Sequence, residues 1–149
     1  MATIQERLDQ IRLQIPSNAT LVVVSKYHTV EEIKEAYDAG VRDFGENRVQ
    51  ELVSKVDKLP EDIRWHLIGS LQRNKVKYIA PFITSIQSIE SLALYDEVER
   101  RAAQHNRTID CLVEVYVAQE ETKSGVPYDE VEAFFAALLE RQAEGNAHI

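Results

Sequence analysis

A chain of 149 residues with 44% apolar side chains is the size of one globular domain and carries enough apolar material for a buried core. Twenty-five acidic against seventeen basic side chains, a formal charge of −8, argue against nucleic acid as a partner, because that binding draws on released counterions around a basic surface. No run approaches the roughly 20 apolar residues of a membrane helix, the first residues lack the order of a secretory signal, and Cys111 is the only cysteine, which excludes an internal disulfide and points to the reducing cytoplasm.

Ile4, Leu8, Ile11 and Ile15 recur at helical spacing, and Thr3 with Glu6 has the offset of a capping box, so the chain opens on an amphipathic helix. Pro16 and Ser17-Asn18 end it. Leu21 to Ser25 is a continuous β-branched run, as expected of a strand buried on both faces, and Lys26 stands at its C-terminal end. Thr29 and Glu32 repeat the capping box before a helix through Val30, Ile33 and Tyr37 that closes at Gly40. A strand from Val41 to Phe44 leads to Gly45-Glu46-Asn47, and Val49, Leu52, Val53 and Val56 stripe the next helix.

Arg64 to Ile68 reads as strand three, Gln72 to Ile79 as a short helix and Phe82 to Ile86 as strand four. Arg73, Lys75 and Lys77 on that short helix form a solvated face rather than a phosphate site. Leu92, Tyr95, Val98 and Ala102 line the fourth crossover helix, and Thr108 to Val117 is the longest strand, mostly apolar and read as buried, with Cys111 in its core. Pro127 introduces a helix through Val131, Phe134, Phe135, Leu138 and Leu139, and after Gly145-Asn146 the residues from Ala147 begin another strand.

About five βα units in succession require parallel strands with right-handed crossovers, an α/β fold. Two architectures compete. A five-stranded doubly wound sheet closes in about 150 residues, whereas a (β/α)8 TIM barrel takes about 250. The first βα turn, SKYHTV, has no glycine-rich phosphate loop, and a sixth strand beginning at Ala147 favours part of a barrel.

In either fold the ligand face is the one where parallel strands end. Polar residues collect there: Lys26, Glu46, Asn47, His66, Ser70, Gln87 and Ser88. Lys26 follows five residues of buried strand, and desolvation at such a rim frees an amine as a nucleophile toward an aldehyde; the alternative is a lysine that reaches into solvent. Asn47 offers a carboxamide to a ligand or a cap to the following helix. His66 could line the pocket or fill the core, with Trp65 on the opposite face beneath a helix.

The segments LVVVSKYHTVEEIKEAYDAGVRDFGENRVQE and IRWHLIGSLQRNKVKYIAP, continued by SIQSIES and RTIDCLVEVYVAQEETKSG, resemble the pyridoxal phosphate homeostasis family over nearly the whole chain from Leu21. The resemblance implies a partial alanine-racemase-like barrel, 1–149 being the N-terminal portion of its cofactor-binding domain. It also implies that Lys26 carries pyridoxal 5′-phosphate as a Schiff base with Asn47, and in that pocket His66, close by, and it assigns Lys123 a conditional role in cofactor handling. Gln87 and Tyr116 depart from the family pattern, and the later βα units that grip the cofactor phosphate in the family lie outside these 149 residues, so weaker cofactor binding is expected of this chain alone.

Three function classes follow. A cofactor holder without turnover is what the resemblance implies. An amino-acid racemase would need a base on each face of the substrate carbon, and a barrel that no longer binds cofactor is the third. If the chain is a truncated barrel, the sheet's unpaired edges lead to the expectation of a homo-oligomer, whereas an open doubly wound sheet would reduce the need for a partner.

Overall fold

In the computed structural model, which describes residues 1–118, 124–142 and 145–149, Thr3 opens α1 (Ile4–Arg12) with reciprocal bonds. Its hydroxyl accepts the Glu6 amide at 3.1 Å, and its own amide donates to the Glu6 carboxylate at 2.8 Å. After β1 (Val23–Val24) the same device from Thr29 and Glu32 starts α2 (Val30–Asp38), which Gly40 closes at φ +98°. The chain continues as β2 (Asp43–Glu46), α3 (Val49–Val56), β3 (Arg64–Leu67), a 3-10 turn over Arg73–Lys75 leading into α4 (Val76–Ile79), β4 (Ile83–Ile89), α5 (Leu92–Gln104) and β5 (Ile109–Val113). A separate parallel pair, β6 (Val115–Tyr116) and β7 (Val126–Pro127), precedes α6 (Val131–Gln142) and β8 (Ala147–His148).

The main sheet runs β1-β2-β3-β4-β5-β8, and each neighbouring pair is parallel. Strand order follows chain order with no reversal, so the switch point that defines a doubly wound sheet is missing. Right-handed crossovers that all step the same way lay their helices on one face. Side-chain alternation agrees: Phe44, Trp65, Ile86 and Cys111 are buried beneath the helices, while Asp110 and Leu112 of β5 look the other way, and Leu112 is 55% exposed. The winding is that of a barrel wall, with β8 as its sixth strand. α5 secures that strand, since the Tyr95 hydroxyl donates to the Ala147 carbonyl at 2.7 Å and the Glu99 carboxylate accepts the Asn146 amide.

Several strands differ from the expectation, β2 among them, which runs Asp43–Glu46 rather than Val41 to Phe44. Leu21 to Ser25 is not buried on both faces: β1 has one neighbour, and Val24 is 45% exposed on the face away from the helices. The long fifth strand is two elements. The Glu114 amide donates to Ile89 as the last rung on β4, its carbonyl then accepts the Val126 amide at 2.7 Å, and the chain leaves the sheet. The apolar run to Val117 is therefore not one buried strand, and β4 is longer, taking Gln87 and Ser88 into its length.

The helix-facing core is built on Trp65, tilted against Phe44 with ring centroids 5.8 Å apart. Cys111 is a core residue whose thiol is pushed up to about 12 by burial. The opposite face carries a polar strap. Arg64 forks onto Asp43 at 2.9 and 2.7 Å, Asp43 bonds His66 Nε2 at 2.8 Å, and His66 Nδ1 meets the Ser85 hydroxyl at 2.5 Å. Burial works to raise the Asp43 carboxyl, but the bonds from Arg64 and His66 outweigh it and hold it below the usual aspartate range.

A carboxyl lowered in the folded state contributes stability above its unfolded pKa and loses that contribution as pH falls through the folded value. Urea unfolding between about pH 5 and pH 2 should therefore show stability falling with acid, more steeply in the parent than in Asp43→Asn. At neutral pH the same substitution should cost about 1–3 kcal/mol through the weakened charged hydrogen bonds. Parallel pH profiles for the two proteins would contradict this role for Asp43.

Candidate functional site

Strand β1 delivers Ser25 to the rim of the sheet, where its amide donates to the Gly45 carbonyl at 2.9 Å and its hydroxyl donates to Glu46 Oε1 at 2.9 Å. The chain then reverses, with the His28 amide donating to the Ser25 carbonyl at 3.1 Å. Lys26 and Tyr27 are the central pair of that turn, and Tyr27 has φ +65°. A positive φ at the third position is the geometry of a type II turn, which glycine or asparagine ordinarily fills. Lys26 is half-buried, and its ammonium makes no hydrogen bond or ion pair among the described residues; its charge lies 5.8 Å from the centre of the Tyr27 ring.

Lys55 is the opposite case. Its ammonium donates to Glu46 Oε1 at 2.6 Å, Glu51 Oε2 at 2.8 Å and the Ser25 carbonyl at 3.0 Å, with the side chains of Lys55 and Glu46 8% and 0% exposed. Burial pulls its pKa down, but the bonds to Glu46 and Glu51 outweigh burial and raise it, so Lys55 is held as an ammonium. Glu51 Oε2 also accepts the Tyr27 amide at 2.7 Å. Among the described residues, one amine at this rim has no hydrogen bond or ion pair and one is locked.

Asn47 does not cap α3, whose N-cap is Arg48 without a side-chain bond. The Asn47 Oδ1 is buried with no hydrogen-bond partner among the described residues. Gly69, after β3, lies so close to the Asn47 backbone that an added Cβ would come within 2.9 Å of its Cα, so the approach of the two strand ends needs glycine there. A lysine amine and a buried carboxamide oxygen, both without a hydrogen-bond partner among the described residues, are the nucleophile and the acceptor that a carbonyl-bearing ligand with hydrogen-bonding ring substituents would meet.

The other strand-end residues separate. His66 is buried lower in the sheet, with both ring nitrogens engaged by Asp43 and Ser85, so it shapes the wall below the rim. Glu46 belongs to β2 and turns beneath α3 toward Lys55, not toward the ligand face. Ser70 is exposed, Gln87 and Ser88 lie within β4, Tyr116 is half-buried in β6, and Lys123 lies outside the described residues. Arg73 and Lys77 are exposed and Lys75 partly so, as a solvated face requires. Sequence reading missed Glu51 and Lys55. A signal was available, since Val49, Leu52 and Lys55 are the buried positions of α3 and their i, i+3, i+6 spacing sets a lysine on the core stripe.

The family model described as alanine racemase, N-terminal domain, matches residues 1–147. A pyridoxal phosphate homeostasis protein of Aquifex aeolicus is 42% identical over 123 residues, which are 82% of this chain and 54% of that protein. The chain thus spans about half the length of the curated relatives it matches. The structure of PipY from Synechococcus elongatus without PLP is similar at a TM-score of 0.90 and 36% identity, covering 99% of this chain and 68% of that one. The same protein with PLP bound has a TM-score of 0.85 at 35% identity. The six parallel strands are accordingly part of an alanine-racemase-like TIM barrel. The chain belongs to the family of the alanine racemase N-terminal domain, together with the pyridoxal phosphate homeostasis proteins that match it.

Proposed function

We propose that this chain, as the N-terminal portion of a cofactor-binding barrel domain, holds pyridoxal 5′-phosphate as a Schiff base on Lys26 and serves the supply of that cofactor in the cytoplasm without substrate turnover. The observation that carries the proposal is the contrast at the rim: Lys26 presents an amine that makes no hydrogen bond or ion pair among the described residues, while Lys55 close by in the fold is bound by two carboxylates and a carbonyl. Support comes from relatives whose names refer to pyridoxal phosphate homeostasis and from the PLP-bound PipY structure.

When bound, the cofactor supplies an aldehyde that condenses with a lysine amine. The remaining work falls to this chain. Lys26 provides the nucleophile from a turn rather than from a flexible loop. The buried Oδ1 of Asn47 accepts a hydrogen bond from a ring substituent without adding charge. His66, engaged at both nitrogens, holds β2, β3 and β4 in register under the site and has no free ring nitrogen with which to move a proton. That engagement favours a holder over a racemase, which needs a base on each face of the substrate carbon. A negative chain, at −8, fits a small-molecule ligand better than nucleic acid, and no helix among the described residues is long and apolar enough to cross a membrane.

The sheet's edges extend the proposal to assembly. β1 and β8 each have one strand neighbour, and Val24 and Leu112 are exposed on the open face. Unpaired backbone beside apolar surface favours self-association, so these 149 residues taken by themselves form a homo-oligomer.

Borohydride reduction of the cofactor-treated chain followed by peptide mapping should place the phosphopyridoxyl group on Lys26, and Lys26→Ala should abolish Schiff-base absorbance. A label mainly on Lys55 or Lys75 would overturn the assignment. Light scattering at micromolar concentration should give a mass above the 17.0 kDa of one chain; a monodisperse monomer would remove the assembly from the proposal.

A further inference from the structure

Tyr27 is one of two non-glycine residues at positive φ among those described, and it directly follows Lys26. Tyr27 is 76% exposed, so core packing does not account for a conformation that β-carbon sterics oppose. Three polar contacts hold it instead, all from one cluster under α3. Glu51 Oε2 accepts the Tyr27 amide at 2.7 Å, Lys55 donates to the Ser25 carbonyl at 3.0 Å, and Ser25 Oγ donates to Glu46 Oε1 at 2.9 Å. Lys55 ties the three together through its bonds to Glu46 and Glu51. The cluster therefore grips the backbone on both sides of Lys26 and leaves the Lys26 side chain untouched.

We infer that Glu51 and Lys55 are positioning residues which hold the Ser25–His28 turn in its left-handed form, so that the Lys26 amine is presented at the rim with its direction already set. The inference rests on the reading of Lys26 as the cofactor lysine. Preorganisation lowers the ordering cost of bond formation, so loosening the turn should weaken Schiff-base formation without changing the chemistry of the amine. Glu51 is the residue to change, since it stands at the edge of the cluster and its loss leaves Lys55 paired with Glu46, whereas removing Lys55 strands a buried carboxylate and endangers folding.

Glu51→Ala should speed exchange of the Tyr27 amide proton by about ten-fold or more and weaken the Lys26 Schiff base by about ten-fold, a loss of about one hydrogen bond to a charged group. Adding Tyr27→Gly to Glu51→Ala should recover most of the Schiff-base affinity, because glycine adopts positive φ without steric cost. A residue with only a structural role would lower the melting temperature without being rescued by a glycine in the turn. Unchanged exchange and affinity in Glu51→Ala, or no recovery in the double variant, would overturn the inference. If the parent forms no Schiff base, the proposed function falls and exchange alone decides: a protected Tyr27 amide that Glu51→Ala releases upholds the positioning role, and an unprotected one overturns it.

Discussion

The ion pair between Lys55 and Glu46 is the constraint from which the rest of the site follows. Taking two charges out of water is costly, and attraction between them repays that cost only where further hydrogen bonds complete the pair. Here they do for Lys55 and for one carboxylate oxygen: Lys55 reaches Glu51 and the Ser25 carbonyl as well as Glu46, and Ser25 adds its hydroxyl to the same Glu46 oxygen, while Glu46 Oε2 is buried with no partner among the described residues. Removing one partner of such a pair costs about 3–5 kcal/mol, so α3, β1 and β2 cannot shift relative to one another without breaking it. The turn that carries Lys26 inherits this rigidity. The strained conformation of Tyr27 persists because its surroundings over-determine it.

The two faces of the sheet divide the labour. Beneath the helices, Phe44, Trp65, Leu67, Ile83 and Ile86 form an apolar core closed to solvent, and burial at about 25 cal/mol per Å2 makes that face the main source of stability. The other face is polar at its centre. The chain Arg64, Asp43, His66, Ser85 crosses three strands, satisfying groups that would otherwise be buried without partners. It fixes register where parallel strands have little else to distinguish one pairing from the next. The rim above it stays free for a ligand, and there a buried acceptor on Asn47 remains without a partner among the described residues.

The comparison with solved relatives gives this division a meaning. A wall of six parallel strands with helices on one side, similar to PipY over 99% of the chain, places Lys26, Asn47 and the Gly69 approach on the rim formed by strand ends, where parallel barrels assemble their sites from loops. On that rim the paired and unpaired polar groups around Ser25 set Lys26 apart from Lys55.

Local signals were readable from the residues alone because their causes are local. Capping boxes at Thr3 and Thr29, the closing glycine at Gly40 and the strand Arg64 to Leu67 appear where short-range spacing puts them, and the motif around Lys26 and Asn47 marked the rim. Packing partners were not readable. Whether Leu21 to Ser25 is buried on both faces depends on what covers the second face of the sheet, and Val24 is exposed because the helices lie on the other one. The apolar run from Ile109 to Val117 divides because Glu114 exchanges its rung on β4 for one with Val126, a choice made between segments distant in sequence. Asn47 passes over the cap its residue type favours, since Arg48 takes that place. Composition ranks Lys26 and Lys55 alike; their fates part because α3 folds back over β2 and brings two carboxylates to one amine and none to the other. Which lysine is paired is decided by long-range packing, and that information exists only once the chain has folded.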